Sequence, residues 1–99
     1  MEDIKRNIET ALKRIEHPEI TRTLFDLGMV KNIDIQEGKV ALTLKVPMLD
    51  IPIKDYLIKD IESAVKREDE NVRVEIDIEE MDKDERERFT KIAQEDWRG

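Results

Sequence analysis

Val30-Lys31-Asn32-Ile33-Asp34-Ile35-Gln36-Glu37-Gly38-Lys39-Val40-Ala41-Leu42-Thr43-Leu44-Lys45-Val46 decides the fold. Val40, Leu42, Leu44 and Val46 alternate strictly with Ala41, Thr43 and Lys45, the period of a strand with one buried face. Ahead of it, Val30 to Ile35 makes a shorter strand, with Ile33 and Ile35 facing one way and Asn32 and Asp34 the other. Glu37-Gly38 supplies the tight turn between them, so the two strands form an antiparallel hairpin. A sheet that is apolar on one side only needs helices on that side.

The flanking residues supply those helices. Upstream, Ile4, Ile8, Ala11, Leu12 and Ile15 form one stripe of a helix over residues 2–16, with Glu9 and Lys13 paired on its solvated side. His17-Pro18 is expected to end it, because proline disfavours the helical region for the residue before it. Residues 17–29 show no clear period and are expected to form an ordered loop with one helical turn at Thr21–Phe25. Gly28 is expected to take a positive φ there. Downstream, Pro47 to Pro52 is a loop, and Pro52 suits the first turn of a second helix. Asp50 and Asp55 favour that helix start electrostatically. Its expected buried stripe is Ile53, Tyr56, Leu57, Ile61, Ala64 and Val65, and Glu68-Asp69-Glu70-Asn71 ends it. Val72, Val74, Ile76 and Ile78 alternate with Arg73, Glu75 and Asp77 as a third half-exposed strand. Asp82 with Glu85 then reads as a cap pair opening a helix over residues 82–97, with Phe89, Ile92, Ala93 and Trp97 facing the core.

The order is α-β-β-α-β-α in one domain, residues 1–99. The second helix is the crossover that makes the third strand parallel to the second. The expected fold class is α/β (α+β): a two-layer sandwich with a three-stranded mixed sheet, helices on one face and a polar, open face opposite.

Composition narrows the chemistry. The 99 residues contain no cysteine, which removes disulfides, thiolate nucleophiles, zinc ribbons and thiolate-held clusters. Three scattered glycines cannot build a phosphate-binding loop. A net charge of −7 argues against nucleic acid, which needs a basic face. The longest mainly apolar run, Val40 to Ile53, is interrupted by Thr43, Lys45, Asp50 and two prolines, so no membrane span is expected. The N-terminal residues lack an apolar core of the signal-peptide kind, so the expected location is cytoplasmic. Abundant Lys and Glu with scarce Asn and Gln is a pattern common in thermophiles.

The stretch His17-Pro18-Glu19-Ile20 … Leu24-Phe25-Asp26-Leu27-Gly28-Met29-Val30 resembles the Asp-Pro-Glu-Ile … Ile-Val-Asp-Leu-Gly-Leu-Val signature of the iron–sulfur cluster assembly domain of SufT and PaaD proteins. MIP-eighteen-like proteins and the N-terminal domain of some Mrp/ApbC-type ATPases share that signature. Pro18, Glu19, Ile20, Asp26, Leu27, Gly28 and Val30 match position for position, and the resemblance runs over residues 2–80. Two departures matter. The family usually has Asp where this chain has His17. It also usually carries Cys-Pro where this chain has Ile51-Pro52. The resemblance therefore implies a role in cluster assembly without thiolate chemistry of the chain's own.

The residues expected to form a partner-binding or site loop are His17, Glu19, Asp26, Gly28, Asp50, Ile51 and Pro52. Each has a structural alternative. His17 as an imidazolium would suit the helix C-terminus. Glu19 and Asp26 would hold turns by accepting backbone N–H bonds. Met48, Leu49 and Ile51 would cap the core. Were they to converge, His17, Glu19, Asp26 and Asp50 could take a hard or borderline cation. No nucleophile or oxyanion arrangement is recognisable, so no enzyme and no cofactor is expected. What the resemblance implies is a non-catalytic adaptor contacting an Mrp/ApbC-type ATPase or an apoprotein client. The alternatives are an accessory subunit of a PaaD-type oxygenase system and a cysteine-free metal-binding protein. A homodimer through the open sheet face or an edge strand is a further expectation.

Overall fold

A computed structural model describes residues 2–96. The element order is α1 (Glu2–Lys13), β1 (Val30–Gln36), β2 (Lys39–Val46), α2 (Lys54–Glu68), β3 (Arg73–Glu80) and α3 (Lys83–Asp96). The sheet order is β1-β2-β3, with β1 antiparallel and β3 parallel to β2. This is the mixed α+β sandwich that the alternation predicts. Trp97 lies outside the described residues.

Val40, Leu42, Leu44 and Val46 are all buried and share one face of the central strand. Ile8 and Leu12 of α1, and Leu57, Ile61, Ala64 and Val65 of α2, join them in a single core. On β1 the odd spacing from Val30 to Ile33 would put these two side chains on opposite faces of a regular strand. A bulge between Lys31 and Asp34 absorbs the extra residue, and Asn32 takes φ 55 within it. Val30 thus faces the same layer as Ile35, opposite Leu44 and Val40 respectively.

Several expected boundaries move. Helix α1 ends at Lys13, before His17-Pro18, because the backbone beyond it pairs with the returning loop. Leu24 N–H donates to the Ile15 carbonyl, His17 N–H donates to the Arg22 carbonyl, and Glu16 bridges Thr23. The helical turn expected at Thr21–Phe25 is displaced to residues 24–28 and closes on Gly28 at φ 76. Pro52 precedes α2 instead of occupying its first turn, and Ile53 stands at the cap without a side-chain cap bond. Tyr56 is exposed, not part of the buried stripe. At about 100° per residue it lies about 125° from the centre of the Leu57–Ile61–Ala64–Val65 face, and Ile58 packs at the margin of that face.

Helix α3 lies against the 15–29 loop and the end of β2. It opens with the expected capping box: Glu85 N–H donates to Asp82 Oδ1 (2.8 Å), and Asp82 N–H donates to Glu85 Oε1 (2.9 Å). Ala93 is buried, and Phe89 and Ile92 pack partly buried against the core.

Candidate functional site

The signature loop is a small hairpin followed by a turn, and it is part of the core. Ile15, Ile20, Leu24, Leu27 and Met29 are buried along it. Met29 N–H donates to the Leu24 carbonyl, and Lys45 N–H donates to the Met29 carbonyl, which ties the loop to β2.

His17 is 3% exposed. Its Nδ1 accepts the Glu19 N–H at 3.0 Å, and its ring sits 6.4 Å from that of Phe89. Helix α1 ends at Lys13, so the ring does not sit at the helix C-terminus where the sequence placed it. His17 instead holds the Pro18–Glu19 corner. Glu19 and Asp26 both expose their side chains. At each, the recorded turn bond uses the residue's own backbone N–H: Glu19 donates to His17, and Asp26 donates to Thr23 Oγ1 (3.0 Å).

The second loop, residues 47–53, is held from two sides. Arg86 Nε donates to the Pro47 carbonyl (3.2 Å), and Lys54 Nζ donates to the Leu49 carbonyl (3.1 Å). Ile51 is half-buried against the core, as a capping residue should be. Met48 and Leu49 do not cap it: both are more than half exposed, as is Tyr56 one helical turn on. Asp50 and Pro52 are exposed beside them. Among the described residues no group of three or more His, Asp or Glu side chains is placed to hold a metal ion, so His17, Glu19, Asp26 and Asp50 do not converge as a ligand set. The grooves flanking β1, about 300 and 410 Å³, are lined by none of the expected site residues.

Two features escaped the sequence. Tyr56 joins Met48 and Leu49 at the surface, a placement that the angular position of residue 56 on its helix already signals. The other is an ion network at the strand end. Lys31 Nζ lies 2.6 Å from Glu85 Oε2, and Lys45 Nζ lies 3.4 Å from Glu85 Oε1 and 3.2 Å from Glu79 Oε1. These partners are far apart in the chain, and no local pattern announces them. Lys31, followed by the Asp82 N–H, holds the Glu85 carboxyl down at about 2, against an ordinary value of 4.5. The unfolded chain therefore binds a proton at Glu85 before the folded chain does. The stabilisation is complete above about pH 4.5 and is lost as the pH falls through about 2. Urea midpoints of the native chain and Glu85→Gln should converge across that window. A gap that stays constant with pH would show that the network carries no such linkage.

Comparison with known proteins follows the same residues. The family model described as "Iron-sulfur cluster assembly protein" matches residues 5–78. An iron–sulfur cluster carrier protein of Mycobacterium leprae is 31% identical over 97 residues, 97% of this chain and 25% of that protein. A carrier protein of Synechocystis is 32% identical over 57 residues, 58% of this chain and 16% of that protein. An Fe–S protein maturation auxiliary factor of Porphyromonas gingivalis is 32% identical over 66 residues, 66% of this chain and 59% of that protein. The chain thus spans a quarter or less of the two carrier proteins' length. A crystal structure of a domain of unknown function, DUF59, from Bacillus anthracis superposes with a TM-score of 0.69 at 18% identity, covering 95% of this chain and 93% of that one. The signature at residues 17–30 lies inside the matched span, and the fold agrees with that neighbour: the chain belongs to the iron–sulfur cluster assembly protein family.

Proposed function

We propose that the chain is a non-catalytic adaptor in iron–sulfur cluster assembly or delivery, acting by contact with other proteins. The observation that carries this is the exposure of three large apolar side chains, Met48, Leu49 and Tyr56, within nine residues of chain that also hold the half-buried Ile51. Large apolar side chains grouped on a surface mark protein contact sites, and a flexible methionine beside an aromatic ring suits partners of varied shape. The loop bearing them is braced by Arg86 and Lys54, so less order has to be imposed on binding. The same loop carries Ile51 where the family usually has a cysteine, so a contact role needs no thiol there. The names of the Mycobacterium and Porphyromonas relatives, a cluster carrier and a maturation auxiliary factor, support the process. The −7 charge would steer the chain toward a basic partner surface.

The partner proposed first is an Mrp/ApbC-type ATPase, then an apoprotein client. An anaerobic binding titration against the purified ATPase and a purified apoprotein acceptor tests this. The double substitution Met48→Asp, Leu49→Asp should weaken binding by more than about tenfold. Because both side chains are exposed, the unfolding free energy from urea denaturation should stay within about 0.5 kcal/mol of the native chain's. Failure of the native chain to bind either protein removes the proposal. Stoichiometric iron and sulfide on the isolated chain would also overturn the adaptor role.

A further inference from the structure

We propose that the free edge of β3 accepts an extended strand from another protein, one in which Lys or Arg alternates with β-branched apolar residues. The proposal stands apart from the 47–56 patch and does not depend on it. Among the described residues β3 pairs only with β2, and its eight residues keep register throughout, from Lys39↔Arg73 to Val46↔Glu80. The other sheet edge, β1, is interrupted by its bulge.

In a parallel ladder, alternate residues turn both N–H and C=O toward the same neighbour. Arg73 N–H donates to the Gly38 carbonyl, and Met81 N–H donates to the Val46 carbonyl, so the odd-numbered residues serve β2. The N–H and C=O groups of Val74, Ile76, Ile78 and Glu80 therefore point away from the sheet, with no strand beside them among the described residues. Eight residues of unbroken, unpaired edge are a template for strand addition.

The side chains define the guest. On the helix side, the rows Val40↔Val74, Leu42↔Ile76 and Leu44↔Ile78 cross from a fully covered strand to a half-covered one. Val40, Leu42 and Leu44 are 0, 3 and 0% exposed, whereas Val74, Ile76 and Ile78 are half-buried. The helical layer stops short of the outer margin of β3, and an added strand would continue each row with its own apolar residues. On the open side stand Glu75, Asp77 and Glu79. Lys39 reaches Glu75 at 3.5 Å and Lys45 reaches Glu79 at 3.2 Å from the β2 side, and Arg73 at the start of β3 lies 3.4 Å from Glu75, while Asp77 has no ion-pair partner among the described residues. A second copy of this chain fits badly. In the two registers that overlap β3 most fully, antiparallel pairing centred on Asp77 sets Asp77 against Asp77 and Glu75 against Glu79 twice, and pairing centred on Ile76 sets Glu75 against Asp77 twice at its middle, with Arg73 against Glu79 only at the strand ends. Like charges directly opposite are destabilising. A strand with Lys or Arg at those positions turns each clash into an opposite-charge pair.

The test uses the whole chain and two synthetic peptides, each about the length of β3, alternating Lys with Ile or Glu with Ile. Amide hydrogen exchange is followed by NMR. The Lys peptide should slow exchange at Val74, Ile76, Ile78 and Glu80, leave the already paired odd-numbered amides unchanged, and lose affinity as salt is raised. The Glu peptide should bind at least about tenfold more weakly. Asp77→Asn should weaken the Lys peptide, and Glu75→Lys with Asp77→Lys should reverse the preference. Circular dichroism confirms that each variant is folded. No protection at the four amides, or protection elsewhere, overturns the proposal and leaves the acidic row as a guard against pairing. Protection of the same amides in the peptide-free chain, with a dimer mass by light scattering, also overturns it and assigns the edge to a second copy.

Discussion

Leu24→Ala lowers the unfolding free energy by about 3 kcal/mol, although Leu24 sits in a segment with no helix or strand periodicity. Its side chain is 0% exposed, and its backbone is fixed at both ends: its N–H donates to the Ile15 carbonyl, and its carbonyl accepts from Met29 N–H. A loop pinned this way cannot collapse into the space left by the lost atoms, so the penalty for the residual cavity adds to the lost transfer energy. The adjacent Phe25 is the control. It is 42% exposed, and its ring lies under the Lys13 ammonium at 5.1 Å. Phe25→Ala forfeits a cation–π contact worth about 0.5–1 kcal/mol at such a site, together with part of the ring's burial, and stays well short of the neighbouring change. Urea denaturation of the two variants side by side measures this. Equal losses would mean that the signature loop is a surface feature and not a wall of the core.

The contrast between these neighbours shows where the sequence was legible. Strands and their pairing followed from strict alternation at Val40–Val46 and Val72–Ile78, because a period of two has few other physical meanings. The β1 bulge was readable in principle, since Val30 and Ile33 are both apolar at an odd spacing. Tyr56 was misplaced because an aromatic residue next to Leu57 joins a stripe on composition, whereas its angle on the helix puts it outside. The 15–29 loop resisted because its hydrogen bonds join residues with no shared period, and only the folded chain shows which side chains point inward. Long-range pairs such as Lys31–Glu85 leave no local trace at all. The same limit hid the site. His17, Glu19, Asp26 and Asp50 are chemically a plausible ligand set, but nothing in their spacing fixes whether they converge.

His17→Ala should cost about 2–3 kcal/mol, and His17→Asn should recover part of it. The ring is buried, so its removal leaves a hole beside Phe89 and strips the Glu19 N–H of its acceptor. Asparagine can offer its Oδ1 to an N–H two residues on, as it does in an Asx-turn, and so restores the corner without the ring. Aspartate offers the same kind of acceptor, so His17→Asp should likewise keep the turn while losing the ring's packing against Phe89. A metal-ligand role would fall to the other ring nitrogen, since Nδ1 already accepts the Glu19 N–H. Anaerobic thermal unfolding with and without Fe(II) separates the two roles. If His17 is the corner's acceptor, any shift produced by Fe(II) is the same in the native chain and in His17→Asn, while the variants differ in their metal-free midpoints. If His17 is a ligand, Fe(II) raises the native midpoint, and that rise disappears in His17→Asn even where the turn is restored.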